Sequence, residues 1–144
     1  MMDLGLLNYY LGIEVNKKPK YIFISQKKYI GDLLSKFGML DCNLVSTPME
    51  QNQKLVSHEG SAFEDPTKYR QLVGSLIYLT NTCPDISFVV GILSRFMHQP
   101  CEGHWIAAKR VLKYLKGTQS FVIKYSKVSY FHLNGYSHSY FDRY

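Results

Sequence analysis

Three apolar patterns of helical period stand back to back between Pro66 and Gly117, and they constrain the fold of this chain more than anything else in it. In "TKYRQLVGSLIYLTNT" the residues Tyr69, Leu72, Val73, Leu76, Ile77 and Thr80 share one side, and Asp65 followed by Pro66 supplies a cap and a first helical position. Pro84 and Asp85 open the next unit, "ISFVVGILSRFMH", a largely buried helix that must end before Pro100. After "CEGH", the segment "WIAAKRVLKYLKGT" sets Trp105, Ala108, Leu112 and Leu115 on one face and Lys109, Lys113 and Lys116 on another, with Gly117 at its end. Three consecutive amphipathic helices with short connections predict a small bundle.

The flanking segments have a shorter period. "YYLGIEV" and "YIFISQ" are β-rich runs separated by "NKKPK", whose lysines and Pro19 belong in an exposed connection, so a hairpin is expected. "SQKKYIGDLLSKFGM" follows as a short amphipathic helix, with Ser25 as N-cap and Gly38 as terminator. Residues 41–66 show no sustained period and read as a long loop that wraps a surface or serves a site. From Ser120 onward, "FVIKYS" and "YFHLNGYSHSYF" suggest a C-terminal strand pair. The fold class is therefore α+β: hairpin, amphipathic helix, long loop, three-helix bundle, strand pair. A length of 144 residues suits one small domain.

Charge and cysteine usage narrow the function classes. Lys and Arg outnumber Asp and Glu by 17 to 11, which favours anionic partners, and the 12 tyrosines and 8 phenylalanines are suited to core packing or to nucleotide stacking. The longest apolar run, "ISFVVGIL", is far below the roughly 18 residues of a membrane span, so no membrane is expected as partner. The N-terminal "MMDLGLLNYYLGIEV" lacks a basic leader and reads as structure rather than as an address. Cys42, Cys83 and Cys101 form no CxxC pair, and their odd number points to a reducing, intracellular compartment. His98, Cys101 and His104 recur at three-residue spacing, but Pro100 interrupts any helix that would align them and a fourth ligand is missing, so no metal is assigned.

Six ordered segments, "DLGLLNYYLGIEV", "ISQKKYIGDLLSKFGM", "STPM", "YRQLVGSLIYLTNTCPDISFVVGILSRFM", "HWIAAKRVLKYLKGT" and "GYS", resemble the reverse transcriptases of copia-type (Ty1/copia) retrotransposons, especially plant ones, over nearly the whole chain. The resemblance implies four parts: residues 1–40, a hairpin and helix similar to the palm end of a reverse transcriptase; the loop 41–66; a thumb-like bundle at 67–118; and the truncated start of a ribonuclease H-like domain at 119–144. It also implies what to look for. The polymerase aspartates of this family stand in a Tyr-x-Asp-Asp hairpin upstream of "DLG", and here Asp3 is the first residue of that motif, with no aspartate before it. Mg²⁺ is accordingly expected only in the intact polymerase, with no cofactor for these residues alone. Asp3, Glu14 and Asp32 are scattered and read as solvated or capping carboxylates.

Where the family continues "GYSDxDW", this sequence has His138 in place of the first aspartate and Tyr140 in place of the second. The first of those aspartates is similar to a metal-binding carboxylate of ribonuclease H. A hard divalent ion prefers oxygen ligands, so His138 marks a degenerate ribonuclease H position. What remains expected is binding to a DNA or RNA–DNA duplex backbone. Arg70, Gly74 and Tyr78 fall at i, i+4 and i+8 along one helix stripe, and two readings of them stand: a track along the duplex groove, or close helix packing at Gly74 with Tyr78 in the core. Lys109, Lys113 and Lys116 are either a phosphate-contacting stripe or a solvated face, and Cys83 stands where related sequences usually carry arginine. Gly12 serves either a tight primer-end contact or a bulge. The expected function is thus a non-catalytic, nucleic-acid-binding part of a Pol polyprotein, with other polyprotein segments as further partners. The alternative is a translated transposon remnant with no selected activity, whose once-covered apolar surfaces lie exposed.

Overall fold

The computed structural model describes residues 8–57, 60–127 and 135. Strands β1 (Tyr9–Tyr10), β2 (Ile13–Lys17) and β3 (Tyr21–Ser25) lead into helix α1 (Lys27–Lys36). After the long loop come α2 (Pro66–Leu79), a 3₁₀ turn (Pro84–Ile86), α3 (Ser87–Ser94), α4 (Glu102–Gly117) and β4 (Ile123–Ser126). The sheet is fully antiparallel in the order β1-β2-β3-β4. The expected α+β architecture is present, with three refinements.

First, the run "YYLGIEV" is not one strand. Tyr10 pairs with Ile13, so Leu11 and Gly12 form a two-residue turn, with φ of 48° and 85°. Positive φ at both central positions is the type I′ geometry that matches the twist of paired strands, so Gly12 sits in a turn rather than a bulge. Leu11 carries a Cβ in that region, at a cost of about 1–2 kcal/mol. Second, α1 joins the bundle: Ile30, Leu33 and Leu34 are buried in the same core as the other helices, giving four helices rather than three. Its N-cap is Gln26 and not Ser25, whose hydroxyl instead donates to Glu14 at 3.0 Å. Gly38, at φ 67°, ends it as expected; the N–H of Met39 reaches back to the Leu34 carbonyl and that of Gly38 to Ser35. Third, β4 pairs with β3, Tyr21 opposite Ser126 and Ile24 opposite Ile123, and so completes the N-terminal sheet. The segment "YFHLNGYSHSYF", expected as a second C-terminal strand, lies outside the described residues apart from Gly135, and His138 lies outside them too.

The core belongs to the helices. Tyr69, Leu72, Val73, Leu76 and Leu79 of α2 are fully buried, whereas Ile77, which the periodicity placed among them, is 44% exposed. Each fully buried aliphatic side chain contributes roughly 1.5–3 kcal/mol. The buried Tyr69 hydroxyl donates to the Leu93 carbonyl at 2.8 Å and ties α2 to α3. Asp65 caps α2 by accepting from the Lys68 N–H at 2.9 Å, as the sequence predicts. Helix α3 stops at Ser94, well short of Pro100, and α4 begins at Glu102, so "CEGH" is its first turn instead of a connection. No residue of the four strands is fully buried.

The long loop wraps α4. Phe63 stacks on Trp105 with ring centroids 4.8 Å apart, and Arg110 reaches both Thr47 and Glu50 at 3.1 Å. Ala62 and Cys101 form an isolated antiparallel bridge that pins the end of the loop to the start of the helix.

Candidate nucleic-acid interface

Helix α2 buries one side and leaves the other to solvent, and the sequence spacing puts Arg70, Gly74 and Tyr78 on the outer side. Arg70 and Gly74 are exposed and Tyr78 is half-buried. A Cβ built on Gly74 would meet nothing within 4 Å, so the close helix packing that a glycine can serve is not present there among the described residues. The groove beside the helix backbone is open.

Tyr78 is neither core nor free plate. Its hydroxyl donates to the Leu11 carbonyl, its ring lies edge-on to Tyr29 with centroids 5.2 Å apart, and its Oη is 3.6 Å from where a Gly12 Cβ would stand. Two residues far apart in sequence are thereby brought into contact: the hairpin turn rests on the end of α2. The strained Leu11 is held by that hydrogen bond, and left-handed non-glycine residues of this kind persist where surrounding contacts over-determine them. Tyr9, Tyr10 and Leu11 project beside the turn at 50%, 57% and 71% exposure.

Arg70 is anchored. Its guanidinium donates to the Met97 carbonyl at 3.3 Å, just past the end of α3, and to Thr67 Oγ1 at 3.2 Å. Two of its five donors are used, and the rest of the fork remains for a phosphate. The lysine stripe of α4 is not a free track. Lys116 Nζ donates to the Cys42 carbonyl at 2.7 Å, Lys109 sits 5.8 Å from the Trp105 ring centroid, and Lys109 and Lys113 line a depression shared with Met39, Asp41 and Cys42. All three are half-buried by the loop that follows α1. A helical wheel finds the stripe but not the loop laid across it.

The spacing of His98, Cys101 and His104 has a different meaning. His104 is buried, stacked on Phe96 at 3.9 Å, and its Nδ1 accepts from the Cys101 N–H at 3.0 Å. Nε2 therefore carries the proton and donates to the Val56 carbonyl, also at 3.0 Å. Both ring nitrogens are used in capping α4 and holding the loop. Among the described residues no three His, Cys, Asp or Glu side chains converge. Cys42, Cys83 and Cys101 are free; burial above all pushes the Cys83 thiol up, its hydrogen bond with the Thr82 hydroxyl opposes this, and the nearby Asp85 charge adds a smaller upward push. No helix among the described residues is long and apolar enough to cross a membrane.

Residues that the pattern analysis passed over also cluster. Tyr114 of α4 donates to Asp85 at the start of the 3₁₀ turn, and this hydrogen bond, with burial, pushes the phenol up to about 12. Thr82 donates to the buried Gln26 at 2.6 Å, joining the end of α2 to the start of α1. Sequence distance conceals both pairs.

Comparison with known proteins agrees with the resemblance. Residues 1–51 match the reverse transcriptase (RNA-dependent DNA polymerase) family. The chain is 46% identical over 131 residues to the retrovirus-related Pol polyprotein from transposon RE2 of Arabidopsis thaliana, covering 91% of this chain and 9% of that one. It is 37% identical over 129 residues to the retrovirus-related Pol polyprotein from transposon TNT 1-94 of Nicotiana tabacum, covering 82% and 10%. A transposon Ty5-1 protein of Saccharomyces cerevisiae is 34% identical over 138 residues, covering 94% and 45%. The chain thus spans less than half the length of each of these relatives. No solved structure matches it.

Proposed function

The chain is homologous to Ty1/copia-type retrotransposon Pol polyproteins, its residues 1–51 matching the reverse transcriptase family, and from that premise we propose that its residues form a primer–template-contacting element that holds a duplex without making or cutting one. The observation that carries this reading is the meeting of Gly12 and Tyr78, which joins the hairpin turn to the outer stripe of α2. Along that stripe, Arg70 reaches for phosphate, Gly74 lets the helix backbone approach a groove, and Tyr78 fixes the turn at the end of the track. Contacts of this type are sequence-independent. The polymerase aspartates and an intact ribonuclease H carboxylate set belong, in this reading, to other segments of a polyprotein, and the α4 lysines serve mainly to seat the loop.

Titrating a labelled primer–template duplex at two salt concentrations tests it. Binding should weaken steeply, log K falling by about 0.9 per log unit of salt for each phosphate neutralised. Absence of binding at low salt would remove the proposal.

The second reading, a translated remnant without selected activity, is favoured by the exposed apolar surface of the chain: a four-stranded sheet with no fully buried residue and, separately on α3, Phe88 at 75% exposure. Such surfaces are normally covered. A soluble monomer with one cooperative unfolding transition would count against it.

A further inference from the structure

The end of the sheet farthest from the Leu11–Gly12 turn gathers five lysines from two separate parts of the chain. Lys17 closes β2, Lys18 and Lys20 sit in the connection to β3, Lys124 lies in β4, and Lys127 follows it. All five are exposed. Among the described residues none of them is within ion-pair distance of a carboxylate. Their placement is set by backbone bonds: Lys18 N–H to the Tyr21 carbonyl at 2.8 Å, and Lys127 N–H to the Lys20 carbonyl at 3.0 Å.

Aromatic rings are interleaved with these charges. Lys17, Ile22 and Tyr125 are register partners across three strands and share one face, with Tyr125 55% exposed. On the other face the Lys124 ammonium sits 3.8 Å over the Tyr21 ring. Between the turn and β4 lies an apolar-walled depression of about 390 Å³, bordered by Lys18, Lys20 and Lys127 and lined by Pro19, Ile22 and Tyr125. A ring-walled recess with a cationic rim fits a base and its flanking phosphates together.

We infer that this end of the sheet binds single-stranded nucleic acid, stacking a base on Tyr125 while the lysines neutralise the phosphates on either side. In a duplex the base faces are already stacked, so the aromatic part of the site selects an unpaired strand. An acidic protein would use the lysines and leave the ring idle. The site is separate from the α2 stripe and stands or falls without it.

The test titrates the full chain against fluorescein-labelled oligodeoxythymidylate, oligouridylate and a blunt DNA duplex over a range of salt. The DNA and RNA arms separate the two sources of the same backbone chemistry. The triple variant Lys18→Gln/Lys20→Gln/Lys127→Gln should lower the single-strand log–log salt slope by about 2. Tyr125→Ala should weaken single-strand binding roughly tenfold with the slope unchanged. Arg70→Ala should weaken the duplex and leave the single strand alone. Unchanged single-strand affinity and slope in both sheet variants would overturn the inference. So would binding to phosphatidylserine vesicles with no binding to either oligonucleotide, since that marks a membrane-facing patch. Duplex binding lost with single-strand binding intact would sink the proposed duplex role and leave this site standing.

Discussion

The Tyr78 hydroxyl donates to the carbonyl of Leu11, 67 residues earlier in the chain, and that hydrogen bond places a strained hairpin turn against the end of an exposed helical stripe. Turn and stripe therefore act as one unit, and changes in either should be felt in the other.

Gly12→Ala should destabilise the protein by roughly 1 kcal/mol, because a side chain at φ 85° is strained even where space permits it. Tyr78→Phe should cost about 0.5–1.5 kcal/mol through the lost hydrogen bond. Because the two residues touch, the double variant should lose less than the sum in urea unfolding. Strict additivity would mean that the contact does not exist in solution.

Gly74→Ala separates stability from binding. With nothing within 4 Å of the new methyl, the substitution should raise stability by roughly 0.5–1 kcal/mol through helix propensity. Duplex affinity should fall in the same variant if the helix backbone approaches a groove there. A variant both more stable and equally tight in binding would remove Gly74 from the interface.

Stability should decline at alkaline pH. Tyr114, held by its hydrogen bond to Asp85 and by burial, keeps its proton up to about 12 when folded, against an ordinary value near 10. The contribution is complete below about 10 and is lost as pH rises from there toward 12, because the unfolded chain releases the proton first. Burial shifts Tyr69 in the same direction. Tyr114→Phe should flatten, without abolishing, the fall in melting temperature over that window; an unaltered profile would contradict the assignment.

His104→Ala should destabilise by about 2–4 kcal/mol, since it strips partners from the Cys101 N–H and the Val56 carbonyl and opens a stacked, buried position. Added Zn²⁺ should leave the melting temperature of the parent protein unchanged. A zinc-dependent rise would restore the metal reading of the His98, Cys101 and His104 spacing.

Local physics wrote much of this structure legibly. The Gly38 terminator of α1, the Asp65 cap and buried stripe of α2 and the irregular course of 41–66 follow from period, proline and glycine, because each depends on residues a few positions apart; the cap of α1 does not, because the Ser25 hydroxyl goes to Glu14 instead. The outer stripe of Arg70, Gly74 and Tyr78 was visible for the same reason. Ile77 and the early end of α3 were not, since burial at the edge of an apolar face depends on which neighbour covers it.

Partnership was decided only in three dimensions. Nothing near Tyr78 in the sequence indicates that its hydroxyl meets Leu11, nor does the α4 periodicity reveal that Lys116 is bonded to Cys42. Likewise "NKKPK" and "KYSK" are unremarkable basic stretches until β4 adds to β3 and sets their lysines side by side. Composition and spacing determine which residues can form a helix or carry a charge; long-range strand pairing and packing determine which of those charges and rings face the same ligand, because that energy is gained only when distant segments have already met.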